Sequence, residues 1–311
     1  MAEPASKQAD APKPSVGLIP LDETLYSIDD QALEFMKAQT GIQDAEELKR
    51  HILAVQAEAY AIHPYPCIRR FSFILLKLGR LPAYQRLLTI GKERKGAIFL
   101  DIGCCLGSEI RKAVADGFPI EGAIGSDLHP EFWDLGHKLF KSTPETFPVP
   151  FVPGDAFDPA HLEAVPPFYA PPDTQAPQLS TLKSLNPLRG HVSVIHASSF
   201  FHLFDEEKQF KLAQSLAGLL SPEPGSMILG SHGGRPEKGF RTESSRTNSH
   251  GMTMFCHSPE SWTELWDGQI FKKGTVKVEA FLLEIKRKDL EPTDPTPEAR
   301  FYLMVWSITR L

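Results

Sequence analysis

Long apolar runs are missing from this sequence. No stretch approaches the roughly 20 apolar residues that a membrane-spanning helix needs, so no membrane association is expected. The N-terminus, MAEPASKQADAPKPSVG, lacks the apolar core of a secretory signal, and residues 1–20 read as a disordered lead-in. Cysteine is scarce. Cys67, Cys104, Cys105 and Cys256 show no CxxC spacing, so neither a bound metal nor a disulfide framework is expected, and reduced thiols in the cytoplasm are the simplest setting. Excess positive charge is absent too. The 33 Lys and Arg against 39 Asp and Glu leave a net charge of −6. Binding to nucleic acid depends on basic residues neutralising phosphates, so no such partner is expected. The densest basic cluster, Lys92, Arg94 and Lys95, reads as a solvated turn.

What is present is an alternation of short apolar runs with helical patterns. Residues 29–62 are helical in period. His63-Pro64-Tyr65-Pro66 interrupts them, because a residue before proline is pushed out of the α region. Residues 67–76 and 83–90 read as further amphipathic helices. The stretch 21–95 is therefore a helical cap. AIFLDIG (97–103), GAIGSDL (122–128), VPFVPGDAF (149–157), VSVIHA (192–197) and SMILGSHGG (226–234) read as strands, with helices over 108–116, 130–141 and 205–220. VKVEAFLLEI (276–285) and RFYLMVWSITR (300–310) close the chain as an edge pair, the last strand antiparallel. Strands alternating with helices predict an α/β fold with a doubly wound, mostly parallel, seven-stranded, Rossmann-like sheet over 96–311. Residues 163–190 are proline-rich with little periodicity and read as a surface insertion without a core of its own.

The strongest chemical signal is FLDIGCCLG (99–107), a strand ending in Asp101, a turn with Gly103, Cys104, Cys105 and Gly107, then a helix. Open α/β sheets bind ligands beyond the carboxyl ends of their strands. Glycine there lets a ligand approach the backbone without meeting a Cβ. Asp101 suits the ammonium of the methionine part of S-adenosylmethionine (SAM). A dinucleotide fits less well: the glycines are four apart rather than in GxGxxG, and Glu109 would repel a pyrophosphate. Asp127, 26 residues on, ends the second strand and suits the ribose hydroxyls; Leu128 follows it into the cofactor wall. Asp155 suits the adenine amino group, with Ala156 or Phe157 on a ring face. His196 and Ala197 end the fourth strand beside the sulfonium, where a buried, backbone-satisfied His196 is the rival reading.

With these residues in place, FLDIGCCLGSEIRKAVADG, GSDLHPEFWDLGHKLF and SSFFHLFDEEKQ together resemble fungal class I SAM-dependent methyltransferases of meroterpenoid and related secondary-metabolite pathways. The likeness spans about residues 25–308, including EAYAIHPYPCIRRFSF and HSPESWTELW. It implies a Rossmann-like methyltransferase using SAM, and members of this kind esterify carboxylic acids. It also implies that Tyr65, with Tyr60 and Arg69, closes over the cofactor. Cys105 departs from the common motif, which has a second glycine there.

Methyl transfer from a sulfonium is an in-line displacement, and alignment of donor and acceptor is most of the enzyme's task. A carboxylate acceptor is already nucleophilic at neutral pH; a hydroxyl calls for a base, most often histidine. His202 and His232 are the candidates, with His129 a third, each near the carboxyl end of a strand. Trp133, Phe201, Phe255 and Trp262 are candidates to line an apolar acceptor pocket. The expected function is O-methylation of a small apolar acceptor, more readily a carboxylic acid, with a hydroxyl acceptor, a protein or RNA methyltransferase, or a silent SAM-fold subunit as alternatives. A homodimer is left open.

Overall fold

The computed structural model describes residues 19–242, 253–285 and 300–311, and most of the expected N-terminal lead-in lies outside these. Three short helices come first: α1 (Asp30–Thr40), α2 (Ala45–Ile62) and α3 (Pro66–Arg69). Asp29 caps α1 by accepting from the Ala32 N–H at 2.9 Å, and Asp44 caps α2 from Glu47 at 2.8 Å. Gly41, in the left-handed region at φ +74°, ends α1. Pro66 opens α3 at N1, where its missing N–H costs nothing. Residues 67–76, expected as one helix, break into 3-10 turns because Phe71 and Leu76 both take positive φ.

The cap has no core to itself. Met36, Leu48, Ile52 and Val55 share one cluster with Leu106 of the glycine loop and with Phe132, Leu139 and Phe140 around α6 (Pro130–Leu139). The helix α4 (Tyr84–Glu93), expected in the cap, instead lays Tyr84 and Leu87 on the sheet against Phe99, Val194 and Met227.

The sheet forms around β1 (Phe99–Ile102), buried at all its positions as a strand covered on both faces must be. After it come α5 (Ser108–Ala115), β2 (Ala123–Ser126), β3 (Val194–His196), α7 (Glu206–Leu219) and β4 (Met227–Gly234). A hairpin of β5 (Gly239–Thr242) and β6 (Thr253–Cys256) stands apart from the main sheet, on either side of residues outside the description. Then come α8 (Pro259–Trp266), β7 (Val276–Ile285) and β8 (Phe301–Arg310). The order is β2-β1-β3-β4-β8-β7, with β8 alone antiparallel, lying between β4 and β7. Helices α4, α5 and α6 cover one face and α7 and α8 the other. This is the mostly parallel α/β architecture the alternation predicts. Among the described residues six strands make the main sheet rather than the expected seven. The expected strand 149–157 is reduced to one parallel bridge, Gly125 to Phe151, because Pro148, Pro150 and Pro153 cannot donate to a ladder.

The insertion also differs from expectation. Leu179, Leu185 and Leu188 are buried in the same cluster as α7 and β3. Arg310 donates to the Phe168 carbonyl at 2.6 Å, and Arg189 pairs with Glu163 at 2.5 Å. Residues 163–190 are thus packed onto the domain. No helix among the described residues is long and apolar enough to cross a membrane.

Candidate active site

Strand order reverses at β1: the chain runs outward to β2, then returns to β3 on the other side. A crevice opens above the carboxyl ends at such a reversal, and the motif residues meet there. The loop after β1 turns sharply, with the Gly107 N–H donating to the Cys104 carbonyl at 2.8 Å. Gly103 and Gly107 both sit at φ +70°. A Cβ on Gly103 would come within 2.8 Å of the Phe200 ring, and one on Gly107 within 2.6 Å of Trp133. Cys105 takes φ +50° without being glycine, which explains why glycine is common there. Its backbone N–H donates to Asp127 Oδ2 at 2.8 Å. The Cys104 side chain turns into the core under Gly125, so only its backbone faces the crevice, and burial pushes its thiol well up from the ordinary range.

Asp101 is 2% exposed. Its Oδ1 accepts from His196 Nδ1–H at 2.7 Å, while Oδ2 is buried with no partner among the described residues. An unpaired buried carboxylate oxygen is costly, and a ligand ammonium is the partner it lacks. His196 Nε2 meets Ser198 Oγ at 2.7 Å, and that oxygen also accepts from the Ser231 N–H at 3.1 Å. The chain Asp101–His196–Ser198 therefore stitches the ends of β1, β3 and β4 together. Side chains, not backbone, satisfy His196. Burial opposes its protonation, but the Asp101 carboxylate outweighs this and raises its pKa. Ala197 is fully buried and contributes no side chain to the crevice.

Asp127 ends β2, and its other oxygen accepts from the His129 N–H at 3.1 Å. Each carboxylate oxygen keeps acceptor capacity for a ribose hydroxyl. Burial lifts its pKa above the ordinary aspartate value. It does not cap α6 through its side chain; His129 holds that position. Leu128 beside it is 54% exposed. Tyr65 stacks on His63 at 4.0 Å and lies 6.4 Å from the His129 ring. Burial, helped by the Asp127 charge, pushes the Tyr65 phenol up to about 12. Tyr60 and Arg69 do not join it. They donate to the carbonyls of Ile19 and Pro20, both at 2.8 Å. Asp155 is exposed and closes an Asx turn onto the Phe157 N–H at 2.9 Å. Phe157 packs edge-on to Phe204, and Phe204 to Phe200, so an aromatic chain runs from Asp155 to Gly103.

His202, past β3, and His232, on β4 near its carboxyl end, have their Nδ1 atoms committed. The Gly233 N–H donates to His202 Nδ1 at 2.9 Å, and Trp306 Nε1–H donates to His232 Nδ1 at 2.9 Å. Both donors can only donate, so each neutral ring carries its proton on Nε2. His202 is half-buried; His232 is 1% exposed among Phe201, Trp262 and Trp306. Burial first, then the neighbouring His202 and His257, push the His232 pKa well down. The four aromatic residues expected to line the acceptor pocket are core residues in this structure. Trp133 fills the space left by Gly107 and Gly125, Phe201 and Trp262 are fully buried in the cluster under α7 and α8, and Phe255 is buried against Phe240.

Two more residues stand at the crevice: Phe200, inside SSFFHLFDEEKQ (198–209), and Lys77, which lies outside every motif. Phe200 lies over Gly103. Lys77 donates from Nζ to Ser199 Oγ at 3.3 Å, while Glu109 accepts from the N–H groups of Lys77 and Leu78 at 2.8 and 2.9 Å. The signal for Lys77 is its isolation: it is the one charged residue in FSFILLKLG (71–79).

Residues 21–74 match the family model described as the meroterpenoid methyltransferase N-terminal domain. The chain is 31% identical to the Asnovolin E/Chermesin D methyltransferase nvfJ of Aspergillus novofumigatus, over 85% of this chain and 84% of that protein. It is 30% identical to methyltransferase ausD of Penicillium brasilianum, over 86% and 84%. This chain belongs to the fungal class I SAM-dependent methyltransferases. O-methyltransferase phiE from a fungal species is 32% identical over 74% of this chain and 68% of its own length. Magnesium protoporphyrin IX methyltransferase from Synechocystis, solved with S-adenosylhomocysteine, overlays with a TM-score of 0.46 at 10% identity, over 83% of this chain and 94% of that one. The methyltransferase uses SAM, and its crevice fits that cofactor: Asp101 Oδ2 awaits a cation, and Asp127 stands at the end of the next strand.

Proposed function

We propose that this methyltransferase methylates an oxygen of a small, apolar fungal secondary metabolite, and that the oxygen belongs to a carboxylate. The observation that carries the acceptor chemistry is the state of the two histidines. A general base needs a bare ring nitrogen facing the acceptor. In His202 and His232 the bare nitrogen, Nδ1, already accepts from Gly233 and Trp306. Neither ring is therefore set to take a proton in this arrangement. A carboxylate needs none taken: its lone pair forms the new O–CH3 bond as the methyl leaves the sulfur with the bonding electrons remaining there, giving a methyl ester and S-adenosylhomocysteine. The likeness to the meroterpenoid methyltransferase family, to the Asnovolin E/Chermesin D methyltransferase nvfJ and to the O-methyltransferase phiE supports an O-methylated small molecule as the product.

A hydroxyl acceptor is the second reading. The half-buried ring of His202 favours it, because a ring that released Gly233 and turned would present Nδ1 as a base. Methyl-labelled SAM incubated with the enzyme and an extract of host metabolites decides between them. Mild alkali should release the label from the product as methanol, as an ester requires. His202→Gln and His232→Gln should each keep much of the rate, and the rate should stay nearly flat between about pH 6 and 8, where unperturbed histidine titrates. An alkali-stable ether, with a loss on the order of 10²–10⁴-fold in one His→Gln variant, would assign the hydroxyl instead.

A further inference from the structure

Lys77 has no assigned role, and its surroundings are unusual for a lysine. It is half-buried, and among the described residues no carboxylate forms an ion pair with its ammonium; its one side-chain partner is the Ser199 hydroxyl. Lysine is rarely drawn from water without a compensating charge. Its backbone is fixed. Glu109, on the first turn of α5, holds the N–H groups of Lys77 and Leu78, so the cap is fastened to the cofactor loop at this residue.

Strained backbone is linked to it. Five described non-glycine residues take positive φ, and three of them relate to Lys77 by sequence, hydrogen bond or charge. Leu76 (φ +48°) precedes it, Ser199 (φ +54°) accepts its hydrogen bond, and Cys105 (φ +50°) lies within reach of its charge. Such conformations are costly and persist where surrounding structure holds a site in shape. The charge of Lys77 is also felt at His196, whose ring touches Asp101 at 2.7 Å.

We infer that Lys77 binds the methionine carboxylate of SAM. The amino and carboxylate groups of an amino acid share one carbon, so a site for the pair needs an anion and a cation side by side at the same loop. Among the described residues, Asp101 offers a buried oxygen without a partner, and Lys77 an ammonium without a counter-ion that reaches Ser199, three residues past the His196 that holds Asp101. The cap thereby completes the cofactor site that the sheet begins.

An acceptor carboxylate is the other ligand of the same chemistry, and binding measurements separate the two. Calorimetry would compare S-adenosylhomocysteine with 5′-methylthioadenosine, which lacks the amino-acid end, on the wild type, Lys77→Met and Lys77→Arg. Lys77→Met should weaken S-adenosylhomocysteine about ten- to a hundredfold, the range for a hydrogen bond between charged groups, and leave 5′-methylthioadenosine within about twofold. Lys77→Arg should recover most of the affinity. Unchanged S-adenosylhomocysteine binding in Lys77→Met would overturn the inference and leave the ammonium to the acceptor. An equal loss for both ligands would overturn it as well, by showing a structural role. If Lys77→Met melts early, Lys77→Gln and the ratio of the two affinities in its folded fraction give the same decision.

Discussion

Cys105 stands where two demands meet. Its N–H must reach Asp127, and the turn that aims it there puts φ at +50°. A side chain in that region costs about 1–2 kcal/mol relative to a relaxed backbone, and here the thiol recovers part of this by packing against the cap. Cys105→Gly exchanges strain for lost packing and chain entropy, so stability should change by less than about 1 kcal/mol and S-adenosylhomocysteine affinity should hold. Cys105→Val puts a β-branched side chain in the left-handed region, where it is a true outlier. We expect it to lose on the order of 2 kcal/mol and to weaken S-adenosylhomocysteine as the Cys105 N–H leaves Asp127. Thermal melts and calorimetry on the pair check this; a valine variant as stable as the parent would remove the strain argument.

Among the elements, the proline-rich insertion is the clearest test of packing. Leu179, Leu182, Leu185 and Leu188 recur every three residues, the period at which side chains of a 3-10 turn eclipse one another. Two such turns, 179–181 and 186–188, lay leucines on the core. Leu185→Ala should therefore cost about 2–5 kcal/mol, read from urea denaturation, and replacing 165–188 by a Gly/Ser linker should lower the melting temperature sharply. A neutral outcome for both would mean that the segment rides on the surface. Neither the 3.6-residue nor the two-residue period detects this pattern, which is why the segment reads as coreless from sequence. The bridge at Phe151 was hidden by the opposite fault: an apolar run promised a strand that its prolines could not pair. The apolar runs of β1, β2 and β4 are legible because a strand covered on both faces reads as a near-continuous apolar stretch up to the polar residues at its carboxyl end, and β7 and β8 are legible by their alternation. At the crevice, Asp101, Gly103, Gly107 and Asp127 lie in two local strand–turn–helix units and can be found by eye. Lys77 and Phe200 arrive from other parts of the chain, and only the tertiary fold brings them to the loop.

Across the whole molecule, histidine burial sets the pH response. His63, His137, His161, His191, His232 and His257 all have pKa values lowered, chiefly by burial, with His257 at about 4. As pH falls below about 6.5, the unfolded chain takes up protons that these native rings refuse, so stability falls toward acid, by at most about 1.4 kcal/mol per pH unit for each ring. His196 has the opposite sign. Its raised pKa adds stability that is present below about 6.5 and is lost as pH rises through the folded value. Denaturation midpoints should peak near neutrality; His257→Gln should flatten the acid limb and His196→Gln the alkaline one, and unaltered limbs in both would show that other groups govern the response. The placement of β8 has a consequence in time. It lies between β4 and β7, yet it is synthesised after both. While the chain leaves the ribosome, β1, β3 and β4 can already align the cofactor crevice, but β7 has no neighbour to pair with until residues 301–310 emerge. A nascent chain stalled before that point would carry unpaired edges on both β4 and β7, the surfaces on which chains stick to one another, and its escape from aggregation depends on how quickly one late strand slides between two waiting ones.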